Sequence, residues 1–333
     1  MTPNEIKDQV VLFAPLNWGL GHATRSFPVI TQLLQNNNRV VLASDGDALQ
    51  WLKSEFPGLT IYTLPELKIR YSKKRGAMGG IIRHLPHFIK SVKKDYKAIN
   101  TIIEKESINL IISDNRYGVY NPDIHSILIT HQLKVNHPLG RFIDLPFRNF
   151  MEKFDEIWVP DFPDHALSGE LSQPLEALSA PIIFIGPQSR FKKTTTIEKD
   201  FKFLSIISGP EPHRSIINNA LNEHLKQVDA PCSMVLGHPQ PDKNNFKKEE
   251  NLSIWSDLSS GDLENLIDRS EIIICRSGYS SIMDMWAKGK KALLIPTPGQ
   301  PEQIYLAEYH HKKGLFKSIL TKQDFSDYVI KGD

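Results

Sequence analysis

The sequence predicts an α/β protein built from two doubly wound, Rossmann-like domains. Three observations predict it. Short continuous apolar runs alternate with amphipathic stretches of helical spacing, the pattern of parallel strands covered on both faces. The pattern restarts after the polar stretch "KKTTTIEKD" (192–200), the best candidate linker. The 333 residues suffice for about two domains, each with its own core. The expected division is 1–185 and 186–333. Ligands in such sheets bind outside the carboxyl ends of the strands, so two halves facing each other would share a central cleft.

The elements follow in order. "VVLFA" (10–14) reads as a buried strand and 23–35 as a helix. "RVVLAS" (39–44) is a strand, "DALQWLKSEF" (47–56) a helix, and "TIYTLP" (60–65) a third strand. A long amphipathic stretch spans 79–105. "INLIISD" (108–114), "SILIT" (126–130) and "EIWVP" (156–160) are further strands, and "PIIFIGPQSRF" (181–191) holds a strand and a Pro/Gly break. The second set begins with "FLSIIS" (203–208), the loop "GPEPHRS" and the helix "IINNALNEHLKQ" (216–227). "CSMVLG", "LSIWSD", "IIICRSG" and "ALLIP" supply more strands.

Composition is that of a soluble globular chain, 40% hydrophobic and 23% charged. The net charge of +2 does not mark a nucleic-acid binder. The charge is uneven, however: Lys68 to Lys97 contains ten Lys/Arg and one acid, Asp95. Ile81, Ile82, Leu85, Phe88, Ile89 and Val92 stand there at helical spacings. Such a stripe suits a core-packed helix with a solvated basic face, or an anionic membrane surface. The two cysteines, Cys232 and Cys275, lie in or beside apolar runs, which suits buried thiols in a reducing compartment. The first residues lack the pattern of a signal peptide, and no apolar run approaches 18 residues. A cytoplasmic protein is expected, peripheral at the inner face of a membrane if the basic stripe binds one.

The first loop, "LNWGLGHATRS", follows the first strand. Gly19 and Gly21 match two positions of a dinucleotide fingerprint, but Thr24 occupies the third, and Asp45 and Asp47 lie near the second strand's end. A plain strand-to-helix turn explains the glycines but not His22 and Arg25. "DGD" (45–47) has the look of a metal-binding pair, but Asp47 is better read as a helix N-cap. No metal site is expected.

The most specific stretch is 272–316. A strand ends in Arg276-Ser277-Gly278, and a helix begins at Tyr279. Free amides and hydroxyls at a helix N-terminus form an anion site. Asp284 follows one turn later, placed to accept hydrogen bonds from ribose or sugar hydroxyls. "LLIPTPGQPEQ" then brings Glu302 and Gln303 to the start of another helix.

Together these motifs resemble the GT-B glycosyltransferases. They are closest to family 28, which includes the N-acetylglucosaminyltransferase of peptidoglycan lipid II, and to predicted glycosyltransferases carrying "GLGHATR" and "RSGYSS". The likeness runs over nearly the whole chain, through "IGPQSRF" and "ISGPEP". It implies a UDP-sugar donor, inversion at the anomeric carbon, no cofactor and a hydroxyl acceptor, lipid-linked acceptors included. It implies donor-diphosphate contacts at Ser208, Gly209, Arg276, Ser277, Gly278 and Tyr279, and a nucleotide base near 254–258. Asp284 stands where the family usually has a ribose-binding Glu, and Glu302 precedes the sugar-binding Gln303 where the family has Gln or Asp. "SGPEP" replaces a Gly-Gly-Ser loop, and its prolines remove two amide donors. The acceptor side falls to Gly19, Gly21, Arg25, Asn115 and His131. His22 is the first candidate base, since a neutral imidazole suits proton removal near pH 7. Asp114, in "SDNRYG", is the runner-up, and His131 a third. The family's C-terminal return helix is not evident before the terminal "YVIKGD". An epimerase or hydrolase of the same fold, a noncatalytic sugar-nucleotide binder, and an NAD(P) protein are the competing readings.

Overall fold

The computed structural model describes all residues except 67–76, 135–139, 175, 195–197, 210, 238–245, 321–323, 325–327 and 329–333, and gives the backbone without side chains for 77–86 and 140–144. The chain divides into two units, Met1–Gln188 and Ser189–Asp333.

The first unit holds β1 (Val10–Pro15), β2 (Arg39–Ser44), β3 (Thr60–Thr63), β4 (Leu110–Asp114), β5 (His125–Ile129), β6 (Glu156–Val159) and β7 (Ile182–Phe184). All pair in parallel, in the order β3-β2-β1-β4-β5-β6-β7. Helices α1 (Gly21–Gln35), α2 (Gly46–Glu55), α3 (Ala77–Glu106) and α4 (Gly140–Met151) connect them. The strand period of two decides which residue faces which layer. Val11 and Phe13 of β1 pack with Val29, Ile30 and Leu33 of α1. Leu12 and Ala14 point to the other face, with Ile99 and Ile102 of α3. Each such fully buried Leu, Ile or Phe contributes about 1.5–3 kcal/mol, which is why β1 is apolar at every interior position.

The second unit repeats the plan. It contains β8 (Phe201–Ile206), β9 (Cys232–Val235), β10 (Phe246–Glu249), β11 (Leu252–Trp255), β12 (Ser270–Arg276), β13 (Lys291–Ile295) and β14 (Lys317–Ser318). The order is β10-β11-β9-β8-β12-β13-β14, parallel except for β10, which runs antiparallel to β11. Its helices are α5 (His213–Leu225), α6 (Ser260–Asp268), α7 (Tyr279–Lys288) and α8 (Pro301–Lys312). In both sheets the strand order reverses beside the first strand: between β1 and β4, and between β8 and β12. These are the places where a doubly wound sheet opens a crevice for ligands.

Some elements differ from the sequence reading. α4, which carries an internal proline, Pro146, has no counterpart in the sequence reading, nor does β10, which reads "FKKE" at a sheet edge and shows no apolar period. α2 begins at Gly46, so its N-cap is Asp45 and not Asp47, which lies in the first turn. Asp45 is drawn elsewhere: its carboxylate accepts from Arg116 Nη1 at 2.6 Å. Arg116, 2% exposed, also donates to Asp95 of α3 and to the Pro65 carbonyl. The polar stretch that begins the second unit packs on that unit. Phe191 is buried, the Lys192 amide donates to Glu264, and Lys288 donates to the Lys192 carbonyl at 2.7 Å. Lys288 is itself buried and is compensated by Asp268 at 2.7 Å and Glu264 at 3.1 Å.

The basic stretch is described in part. Ile81, Ile82 and Leu85 lie outside the residues with described side chains. Beyond them, Val92, Asp95 and Ile99 are buried while Lys90, Lys93, Lys94 and Lys97 are exposed, and Ile89 is 37% exposed. Over its described side chains, 87–106, α3 packs its apolar face inward and turns its lysines to solvent. No described helix is long and apolar enough to cross a membrane.

Candidate active site

In the first unit four predicted residues meet at the reversal between β1 and β4. Pro15 at the end of β1 is in register with Asp114 at the end of β4. The first loop is fastened there, because the Leu16 amide donates to the Asp114 carbonyl at 2.9 Å. Gly19 turns the loop with φ +68, a region that favours glycine, and Gly21 opens α1. The first turns of α1 then project His22, Arg25 and Ser26 toward Asp114.

Asp114 is completely buried and its carboxylate is saturated. His22 Nδ1 donates to Oδ1 at 2.8 Å, Arg25 Nε donates to Oδ2 at 2.7 Å, Arg25 Nη2 donates to Oδ1, and Ser26 Oγ donates to Oδ2 at 3.2 Å. Burial by itself would raise the Asp114 pKa. The charges of Arg25 and His22 and their hydrogen bonds outweigh it and hold the group well below the usual carboxylate range. Asp114, the runner-up as base in the sequence reading, is thus an ionised hydrogen-bond acceptor for His22, Arg25 and Ser26. His22, its side chain 14% exposed, is pushed below the ordinary imidazole value by burial and then by the Arg25 charge, with Asp114 opposing. It stays neutral near pH 7. Because Asp114 can only accept, His22 carries its proton on Nδ1 and presents Nε2 as a base.

His131, just past β5, completes the group by accepting from Arg25 Nη1 at 3.0 Å. Arg25, expected among the acceptor contacts, is only 3% exposed and faces Asp114 and His131. Asn115 adopts φ +56 beside Asp114, and its amide donates to the Ile129 carbonyl. Its Oδ1 is buried without a partner among the described residues. Ser26 was missed by the sequence reading. Its signal was its place one turn after His22 on the same helix face.

The second unit forms its site at the β8/β12 reversal. Arg276, 4% exposed, donates through Nη1 to the Ser208 carbonyl at 2.9 Å and through Nη2 to Thr297 Oγ1. Its guanidinium thus ties the loop after β8 to the loop after β13. Gly209 lies against it with φ +113, and a Cβ there would collide with Arg276 Nη1. Ser277 is buried and donates to the Gln303 carbonyl at 2.7 Å, while Gln303 Oε1 accepts from the Thr297 amide and hydroxyl. Gly278 is the N-cap of α7 in extended geometry, and Tyr279 begins the helix. Asp284, one turn on, accepts from Ser189 Oγ at 2.6 Å. Burial raises its pKa to about 6, against the opposing pull of Arg190 and Ser189. Glu302 sits in the first turn of α8. Thr297 and Ser189 were not singled out from sequence, since a lone hydroxyl in a Pro/Gly-rich loop carries no signal. The altered "SGPEP" loop fills its helix end from within: Glu211 accepts from the Ser215 amide at 3.2 Å and from Arg214.

Among the described residues no cluster of three or more His, Cys, Asp or Glu is arranged to hold a metal ion.

Comparison with known proteins agrees with this fold. The glycotransferase of kitacinnamycin superimposes with a TM-score of 0.65 at 13% identity, over 98% of this chain and 90% of that one. The spinosyn rhamnosyltransferase SpnG, in complex with thymidine diphosphate, gives 0.62 at 14% identity, over 96% and 88%. MurG of Acinetobacter baumannii gives 0.54 at 12% identity, over 97% and 94%. The chain has the GT-B fold. Residues 234–326 of this GT-B protein match the glycosyltransferase family 28 C-terminal domain. That span includes Arg276 through Asp284 and Glu302-Gln303, and it begins after Ser208 and Gly209. An uncharacterized glycosyltransferase of Methanopyrus kandleri is 19% identical over 295 residues, 83% of this chain and 82% of its own length. These likenesses support a glycosyltransferase of the family 28 type.

Proposed function

We propose that this GT-B protein is a metal-independent, inverting hexosyltransferase that moves a sugar from a UDP-sugar to a hydroxyl acceptor. N-acetylglucosamine is the first sugar to test. The observation that carries the reading is the pairing of His22 Nδ1 with the saturated, ionised Asp114. It leaves a neutral imidazole nitrogen as base in the first unit, while the donor motifs belong to the second. The acceptor O–H proton passes to His22 Nε2. The acceptor oxygen forms a bond to the anomeric carbon from the face opposite the leaving group. The bond from that carbon to the phosphate oxygen breaks, and its electron pair leaves with UDP. Such base catalysis contributes typically 10²–10⁴-fold. The amides at the start of α7 and the Ser208–Gly209 loop are assigned to the departing diphosphate, where fixed donors are worth about 3–4 kcal/mol. Asp284 is assigned to the ribose, and Glu302 and Gln303 to the sugar.

The basic stretch 68–97 is assigned to an anionic acceptor or membrane surface at the cytoplasmic face, with a glycolipid as the acceptor class. The test is thermal stabilisation of the purified protein by UDP, GDP, dTDP, NAD(P), UDP-N-acetylglucosamine and UDP-glucose. Selective stabilisation by UDP species, lost in Ser277→Ala and Asp284→Ala, supports the reading. Stabilisation by NAD(P) alone overturns it. A free sugar product without any acceptor would replace transfer by hydrolysis or epimerisation.

A further inference from the structure

We propose that Arg25 is a positioning residue that holds the two histidines of the first unit in opposite tautomers: His22 with its proton on Nδ1, His131 with its proton on Nε2. Arg25 has five N–H donors in a rigid fork and no acceptor. Two arms of that fork, Nε and Nη2, grip Asp114, and Nη1 reaches His131 Nδ1 at 3.0 Å. A donor that cannot accept forces His131 Nδ1 to present its lone pair, so the His131 proton resides on Nε2. The effect on His22 is indirect. A buried carboxylate left without Arg25 would tend to protonate. Protonated Asp114 could donate to His22 Nδ1, which would shift the imidazole proton to Nε2 and remove the base. Arg25 prevents this reversal by keeping Asp114 ionised. Lysine, a point charge with no planar fork, could neutralise Asp114 but could not also hold His131 in this geometry.

Among the described residues, these titratable and charged groups face the pair. His22 and Arg25 come from α1, Asp114 from β4, Tyr117 from the turn that follows, and His131 from beyond β5. Burial pushes Tyr117 up to about 12, so it remains neutral. Arg25 and Asp114 therefore fix the hydrogen-bond role of one ring nitrogen in each imidazole: His22 Nδ1 donates and His131 Nδ1 accepts.

The experiment is long-range ¹H–¹⁵N correlation NMR on the full-length protein labelled with ¹⁵N-histidine at pH 7.5, with His22→Gln and His131→Gln as assignment variants. The expected spectrum shows protonated Nδ1 for His22 and protonated Nε2 for His131. In Arg25→Lys, His22 keeps its tautomer while His131 loses its preference, a split that a purely structural role would not produce. In Arg25→Gln, Asp114 takes up a proton and donates it to His22 Nδ1, so the His22 proton moves to Nε2 and kcat/KM for transfer falls by about 10²–10⁴-fold, the loss expected when the base is removed. A wild-type spectrum with His131 protonated on Nδ1, or His22 on Nε2, overturns the proposal even if neither variant folds. So does an Arg25→Lys protein in which both histidines respond alike. The consequence for catalysis rests on the transferase reading, but the tautomers need no substrate. A reversed tautomer with UDP-sugar transfer intact overturns this inference alone. The expected tautomers with no nucleotide-sugar binding overturn the transferase reading alone.

Discussion

Both units place a carboxylate at their strand-order reversal, and they treat it in opposite ways. Asp114 at the end of β4 is saturated by His22, Arg25 and Ser26 and held ionised. Asp284, one turn into α7, receives a hydrogen bond from Ser189, and burial lifts its pKa to about 6. The first carboxylate has its partners before any ligand arrives, which suits a group that orients a base. The second retains acceptor capacity, which suits a group that meets ligand hydroxyls. The difference lies in the neighbouring helix: α1 delivers three donors to Asp114 from consecutive turns, whereas Asp284 has Arg190 nearby as an opposing charge.

The largest effect that would break this contrast is expected from Asp114→Asn. It leaves the Arg25 guanidinium buried without its counter-charge, which costs about 3–5 kcal/mol of stability. Denaturant unfolding should show this loss, together with a fall in transfer rate. Next, His22→Ala should lower transfer by about 10²–10⁴-fold and leave UDP-sugar affinity by calorimetry unchanged. Weakened donor binding in that variant would dissolve the division of labour between the units.

The third test uses pH, and the two carboxylates have opposite signs. The folded-state pKa of Asp284 is raised from 3.8 to about 6. The native state therefore binds the extra proton between those values, and stability falls as pH rises through that window, by on the order of 3 kcal/mol. Asp284→Asn should flatten this fall. The folded-state pKa of Asp114 is depressed, so its contribution is present above the unfolded carboxylate value and is lost as pH falls through the folded one. Asp114→Asn should flatten only that acid limb. Unfolding free energies measured from about pH 1.5 to 7 would separate the two. The smallest effect is expected for Gly209→Ala. Its positive φ and the collision with Arg276 should cost about 1–2 kcal/mol and weaken nucleotide binding about tenfold. Unchanged affinity would remove the loop after β8 from the donor site.

Much of the loop cluster of the second unit was legible in sequence because its residues are local. Arg276, Ser277, Gly278 and Tyr279 are consecutive, and a strand end followed by a helix start already implies amides facing a crevice. Asp284 follows at one helical turn. What was not legible was the fastening: Arg276 serves Ser208 and Thr297, and Gln303 serves Thr297, through loops whose approach depends on strand order. β10 escaped notice because a charged edge strand does not carry the apolar period.

The sequence by itself determined two doubly wound units, because strands covered on both faces require continuous apolar runs and the intervening helices require one apolar face. It also determined which loops follow the strands, and hence His22 and Arg25 after β1. Only the tertiary structure decided their states. His22 and Asp114 are 92 residues apart, and Arg25 and His131 are 106. Parallel crossovers bring those distant strand ends side by side. Tautomer and ionisation follow from the charges and hydrogen-bond partners within a few ångströms, and for these side chains most of those partners are not their neighbours in sequence.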